Sequence, residues 1–477
     1  MARIAIAGIP LLLVPAFGVF QGGFRPSTWV WGAALAAWAA ALGVVVSDRG
    51  GALRATWRWP AIGGALLLWT LASALWSADP HQSVLEARRT LVYAVVALAL
   101  VVLARRNATQ TLVAATHVAI TALLTYALVR YLVGARPLRA FEGYAITQPV
   151  GYANAVGILA AMGILLALMA AADRRPALRA WGAATVPVLA LTLTFSKSYA
   201  SWLALGLGTF VVWILTRRQR LVLRTFVLLA VPSLPLIWLG RYSHYADYTS
   251  PRVGGTTLAA AAAAAAVAAG ILAAVAGAPL TSPRALRRPG ALPLAMTLAV
   301  VVAAAVGIAA GGSRQPRSSY YHVAWHEYLA HPWLGSGAGT FGRYWLGSGL
   351  IQRWGGALDA HSLYLETLAE LGVVGLLLVV AFLLYPFRRV RATSNTPGVP
   401  AACGAAVAFI VHLGLDWDWE MPVVVVAGLA CLAAVLLADD PPSDRRLGSV
   451  AGSESSAAPS AALGNGAPQS GAPAEIT

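Results

Sequence analysis

The sequence predicts an all-α, polytopic helical membrane protein with about fourteen transmembrane helices and one large loop on the outer side of the bilayer. Three observations predict it. The chain is 59% hydrophobic and only 11% charged over 477 residues, with a mean hydropathy of +0.70, whereas soluble domains carry about 25% charged residues. Apolar runs of about 17–25 residues recur along the chain, the length needed to cross the hydrocarbon of a bilayer. Arginines gather in alternate connections between those runs, the bias that orients helices with their basic ends inward.

In chain order the runs fall near 4–20, 27–46, 60–77, 90–104, 110–133, 154–172, 180–195, 199–216, 222–239, 255–277, 291–310, 371–387, 399–415 and 421–438. The first follows Met1-Ala2-Arg3 and resembles a signal peptide, but the topology needs it as an uncleaved helix. The alanine run Ala259 to Ala266 lies inside a span and reads as filler helix. With the N-terminus inside, the inner connections hold clusters such as Arg49, Arg54 and Arg58, then Arg174, Arg175 and Arg179, then Arg217, Arg218, Arg220 and Arg224, then Arg388, Arg389 and Arg391. The long outer loop 311–360 holds only Arg314, Arg317, Arg343 and Arg353. The net charge of +16 is thus scattered between spans, which excludes a nucleic-acid partner. Residues 1–438 form the membrane domain. Residues 439–477, rich in Ser, Gly, Pro and Ala without an apolar period, read as a disordered cytoplasmic tail, so both termini face the cytoplasm. Cys403 and Cys431 sit in apolar runs and make neither a disulfide framework nor a thiolate metal site.

Polar residues gather in four outer places: 77–89, with Asp79, His81, Glu86, Arg88 and Arg89; 136–154, with Arg139, Glu142 and Asn154; the turn Ser196-Lys197-Ser198; and 311–360, running into His361. Sites on a rigid scaffold usually lie in such loops. Residues 320–331 have helical spacing, with Tyr321, Trp325 and Leu329 four apart, and Pro332 stops them. Gly335, Gly337, Gly339 and Gly342 then make a close-approach segment, interleaved with Trp333, Phe341, Tyr344, Trp345 and Trp354. These rings suit either sugar stacking or anchoring at the membrane interface. His322, His326 and His331 lack the spacing of a third ligand, so no metal is expected.

His361 heads the next helix, with Asp359 just before it and Glu366 and Glu370 on one face after it. A neutral imidazole beside a carboxylate can take a proton from a hydroxyl near pH 7, though capping polar groups at a loop-to-helix junction look the same. Asp416, Asp418 and Glu420, with Trp417 and Trp419, read as a solvated interfacial turn, with acceptor binding as the alternative, and His412 as a helix–helix hydrogen-bonding residue.

These residues resemble the O-antigen ligase/polymerase family of bacterial membrane glycosyltransferases. The resemblance rests on Ala360-His361-Ser362-Leu363-Tyr364-Leu365 followed by Glu370-Leu371-Gly372, and on Arg317, Tyr320-Tyr321 and Trp325 ahead of His331-Pro332-Trp333-Leu334-Gly335-Ser336-Gly337 through Phe341, a motif region of 317–375. Arg139 with Gly151-Tyr152-Ala153-Asn154, and Ser73 to Ser77, match upstream elements. The chain departs from the family at Ser196-Lys197-Ser198, where Ser-Arg-Gly is common, and at Ser362, where Asn is usual. Its fourteen expected spans also exceed the usual twelve or so.

The resemblance implies transfer of a polyprenyl-diphosphate-linked glycan to an acceptor hydroxyl on a glycan, lipid or protein, with no cofactor and no metal, at the outer face of the cell membrane. It implies His361 as the catalytic residue, and Arg317, Arg139, Lys197, Arg88, Arg89, Asn154 and Glu370 as substrate-binding residues. Asp359 or Glu370 would orient His361. A polysaccharide polymerase of the same family is the alternative within this class. A glycan or lipid transporter is the alternative outside it, but no internal repeat is visible and the ionisable residues gather at the outer ends of the helices, not at the midplane.

Overall fold

The computed structural model describes residues 2–46, 56–104, 107–134, 144–216, 219–241, 243, 254–276 and 317–438. Arg139, the apolar run 291–310 and the tail 439–477 lie outside the described residues. The chain divides into Met1–Asp439 and Asp440–Thr477, and the second of these lies wholly outside them. Among the described residues the regular structure is helical throughout, with no strand.

The helices are α1 (Ala2–Val19), α2 (Pro26–Val46), α3 (Arg58–Ala72), α4 (Pro80–Val102), α5 (Ala108–Val133), α6 (Ala153–Ala171), α7 (Pro176–Ser196), α8 (Tyr199–Leu215), α9 (Gln219–Arg241), α10 (Gly255–Val275), α11 (Arg317–Ala330), α12 (Phe341–Gly347), α13 (Leu363–Leu384), α14 (Val399–Leu413) and α15 (Pro422–Leu436). Six stretches are long and apolar enough to cross a membrane, and five shorter apolar helices accompany them, among the described residues. The protein is a membrane protein. Of the fourteen apolar runs read from the sequence, thirteen fall on helices and 291–310 is not described.

Local signals set the helix ends. Asp79 caps α4, its carboxylate accepting from the Gln82 amide at 3.1 Å, with Pro80 at the first helical position. Ser198 caps α8 by accepting from the Ser201 amide at 3.2 Å. Between them, Lys197 closes α7 in the left-handed region at φ 55°.

α15 lies at the centre, buried along its whole length and packed on α1, α4, α5 and α14. α14 packs in turn on α6 and α8. Without a hydrophobic drive between helices in lipid, close packing and interhelical hydrogen bonds hold such a bundle. Thr109 donates to the Ala434 carbonyl at 2.8 Å, and the Trp59 indole donates to the Phe382 carbonyl at 2.9 Å. This packing brings the turn between α14 and α15 beside the loop helix α11 and the start of α13.

Candidate active site

The site begins with a broken helix. Inside α13, Gly372 adopts φ 67° and ψ −169°, a conformation essentially confined to glycine. The break frees the backbone groups around it, and the glycine-rich loop takes them up. The carbonyls of Ala369 and Glu370 accept from the amides of Ser336 (3.1 Å) and Gly337 (2.8 Å), and the Val373 amide donates to the Pro332 carbonyl at 3.0 Å. The Leu371 carbonyl accepts from the Trp69 indole at 3.0 Å. A Cβ at Gly335 would strike the Glu370 backbone, which explains the small residue there. Both carboxylate oxygens of Glu370 accept loop amides, from Gly339 at 2.7 Å and Phe341 at 2.9 Å. Glu370 therefore clamps the loop to the helix.

The second component is Asp416, fully buried in the turn after α14. It accepts from Tyr152 at 2.6 Å, from Arg317 at 3.2 Å and from the amide group of Asn154. Burial, the largest single influence, pushes its pKa up, yet Arg317, His361, His412 and Tyr152 together hold it below the ordinary value. Burial, the largest single influence, would lower the Arg317 pKa, but Asp416 together with Tyr152, Tyr321 and Asp418 outweighs it and the guanidinium stays charged. The neighbouring Asp418 pairs with His412, whose other ring nitrogen meets the Ser201 hydroxyl at 3.0 Å. The expectation of a solvated turn is thus corrected: Asp416, Asp418 and Glu420 are 0%, 1% and 4% exposed. Their partners arrive from α4, α11, α14 and the segment before α6, which pull the turn inward. His412 joins α14 to α8 by hydrogen bonding, as expected.

His361 sits half-buried against this cluster. Its ring stacks on Tyr320 at 4.7 Å and lies 6.2 Å from the Trp417 ring. Its backbone is left-handed at φ 55°, which a non-glycine residue adopts at a cost of about 1–3 kcal/mol. Nδ1 lies 3.2 Å from the Asp359 carbonyl oxygen. The expected orientation by a carboxylate is therefore replaced by a backbone contact: Glu370 is engaged with the loop, and the Asp359 side chain lies elsewhere. Burial holds the imidazole pKa below its ordinary value, Asp416 and the Asp359 carbonyl oppose that, and Arg317 reinforces it. The neutral form is favoured near pH 7.

The third component surrounds Arg89, which is buried and paired with Glu86 and Glu420. Asp359, Glu366 and Glu420 offer carboxylate oxygens within 4.8 Å of one another, the one such group among the described residues that could hold a metal ion. Glu366 also accepts the Ala360 amide at 2.7 Å. Burial lifts the Asp359 pKa to about 7, Arg89 opposing and Glu86 reinforcing. One guanidinium facing this many carboxylates leaves protons to be shared among them.

The structure thus brings Arg317, Asn154 and His361 to one place and sets Glu370 beneath the loop. Arg89 lies in the adjoining acidic cluster. Arg88, next to it on α4, is exposed, as is Lys197 at the turn between α7 and α8. Tyr152, Tyr320 and Asp416 join the site, though none of them was assigned a role in it from the sequence. The signal for Asp416 was an acid-rich turn with no basic residue beside it at the end of an apolar helix, where an ionisable group is expensive unless it has a partner.

A protein-family model described as O-antigen ligase matches residues 183–380. This segment is similar to the O-antigen ligase family. No curated protein matches the chain. The O-antigen ligase segment contains Lys197, Arg317, His361 and Glu370, whereas Arg89, Asn154 and Asp416 lie outside it and reach the site through the fold. The similarity supports a glycan-transfer role of ligase or polymerase type, with a lipid-linked glycan as substrate in a membrane setting.

Proposed function

We propose that the protein transfers a glycan from a polyprenyl diphosphate to an acceptor hydroxyl at the outer face of the cell membrane, as a metal-independent, inverting glycosyltransferase. The observation that carries this reading is the meeting of a fixed cation, Arg317, and a neutral imidazole, His361, around the buried carboxylate of Asp416. Such a pair meets the two needs of the reaction. A diphosphate leaving group needs charge stabilisation, and a hydroxyl nucleophile needs a proton acceptor.

In this reading the acceptor hydroxyl gives its proton to His361 as its oxygen attacks the anomeric carbon. The bond from that carbon to the phosphate oxygen breaks, and the diphosphate leaves with the electron pair, held by Arg317. Attack from the side opposite the diphosphate inverts the anomeric carbon. Asp416, Asn154 and Tyr152 fix the guanidinium. Arg139, Lys197 and Arg88 are further cations for the diphosphate. Arg89, already paired with Glu86 and Glu420, positions the acidic turn. Glu370 holds the loop over the site. The chain crosses the bilayer about fourteen times with both termini inside, which sets this cluster at the outer face.

Ligase action is favoured as the reading; a polymerase would use the same chemistry with a glycan as acceptor. Reconstitution with a radiolabelled polyprenyl-diphosphate glycan tests it. The expected result is label moving from lipid to acceptor in the presence of chelator. Label that stays on the lipid, or merely changes leaflet, would sink the transferase in favour of a transporter.

A further inference from the structure

α11 has two faces. One carries Arg317 and Tyr320 towards Asp416 and His361. The other, carrying Ser319, His322 and His326, borders a cavity of about 1060 Å³, which Glu327 also lines and whose far wall includes Arg343 and Tyr344. Neither Arg317 nor His361 lines it. Small-molecule sites occupy about 300–1,000 Å³, so this space admits more than one sugar ring.

Its chemistry is selective. Glu327 is 1% exposed, and Oε1 accepts from Ser336 at 2.6 Å and Thr340 at 3.0 Å. Oε2 has no hydrogen-bond partner among the described residues. A buried polar atom left in that state is costly unless a ligand or water satisfies it. Burial lifts the Glu327 pKa to about 7, so the carboxyl at the cavity wall exists both with and without its proton near neutral pH. A sugar hydroxyl, which donates and accepts, suits both forms. A diphosphate suits only the protonated form, because it only accepts and the ionised carboxylate repels it. A polyprenyl chain would meet too many polar groups. His322 and His326, whose Nε2 atoms are 3.1 Å apart, and the Arg343 guanidinium add donors around the opening, and the Tyr344 ring supplies a flat apolar wall.

We propose that this cavity binds the sugar chain of a glycan substrate, separately from the reacting groups on the other face of α11. The proposal rests on the glycan-transfer reading for its biological ligand, but its binding test does not. The probe is the diphosphate-free reducing oligosaccharide released by mild acid from the producing cells' lipid-linked glycan, titrated against the full chain in nanodiscs. Removing Glu327 also strips Ser336 and Thr340 of their acceptor and can unfold the loop, so the decisive variant is Gly347→Trp. Gly347 lines the cavity, and a Cβ there meets nothing within 4 Å, so the indole fills the space without a clash at its root.

The parent should bind the oligosaccharide, Gly347→Trp should bind it at least tenfold more weakly, and His361→Ala should bind it as the parent does. In transfer assays Gly347→Trp should raise KM while leaving kcat near the parent's. A rise in donor KM assigns the cavity to the donor glycan, and a rise in acceptor KM assigns it to the acceptor. No binding by the parent, or equal binding by Gly347→Trp, overturns the proposal. Binding by a parent that transfers nothing supports the cavity and sinks only the transferase reading.

Discussion

The Arg317 guanidinium donates to Asp416 at 3.2 Å, tying the first residue of the loop helix α11 to the turn between α14 and α15, 99 residues along the chain. Arg317 keeps partial access to solvent at 23% side-chain exposure, whereas Asp416 has none. The cation is thus held from behind and open in front. A residue arranged this way can meet an anion without losing its fixed orientation.

Arg317→Ala should therefore raise the donor KM sharply, while Arg317→Lys should recover only part of the loss. A lysine keeps the charge but lacks the planar fork that matches phosphate oxygens. Asp416→Asn should reduce transfer further than Arg317→Lys, because one of its two oxygens becomes an NH2 facing a donor. Initial rates over a range of donor concentrations, at equal membrane abundance, decide this. Parent-like kinetics for both Arg317 variants would make the residue structural.

Glu327 carries a stability prediction. Its pKa in the folded protein is raised from 4.5 to about 7 by burial. An acid with a raised folded pKa binds its proton more tightly when folded, so stability falls as pH rises from about 4.5 to about 7 and stays lower above that. Glu327→Gln keeps an oxygen for Ser336 and Thr340 but carries no charge. It should raise the melting temperature relative to the parent at pH 8, by the equivalent of up to about 3 kcal/mol, and leave it little changed at pH 4.5. An equal effect at both pH values would show that the buried charge is not the cause.

Much of the site was legible because its residues stand near each other in the sequence. Ala360 to Gly375 reads as loop, base and helix start, and the structure adds why Glu370 and Gly372 stand two apart: one clamps the loop amides and the other breaks the helix that the loop repairs. Asp416 was misread as solvated because its partners, Tyr152, Asn154 and Arg317, come from far away in the chain. No local pattern announces a partner 262 or 264 residues off. Arg89 was legible as a cation of the outer-face cluster, but its pairing with Glu420, 331 residues away, was not. Helix placement followed from apolar runs alone, since in lipid the run itself is the structural requirement.

The topology predicts which face each loop presents. Cys403 and Cys431 are 0% and 1% exposed, so a membrane-impermeant maleimide should find little native background. Ser348→Cys, on an exposed residue of the large loop, should label in intact cells. Ser455→Cys in the tail should label only after permeabilisation. Equal labelling of both in intact cells would refute the fourteen-span arrangement with both termini inside.

The last prediction concerns His361. Its ring is fixed by stacking on Tyr320 and by the contact of Nδ1 with the Asp359 carbonyl, which leaves Nε2 as the nitrogen for chemistry. Burial lowers its pKa below the ordinary histidine value, so the neutral, proton-accepting form persists on mild acidification. Transfer should therefore hold level from pH 8 down to about 6.5 and fall only below that, where the imidazole charges. His361→Ala should cost about a hundred- to ten-thousand-fold in kcat, the usual loss on removing a general base, with the protein inserted at parent abundance. His322→Ala should cost much less, because His322 lies on the other face of α11. His412→Ala removes the partner of Asp418 and should lower abundance more than it lowers kcat per molecule. The remaining activity of His361→Ala should also lose its acid limb. If that variant, inserted and stable, transfers at near-parent rates, the imidazole is not the base, and Asp359, whose pKa of about 7 also suits proton transfer at neutral pH, becomes the group to replace.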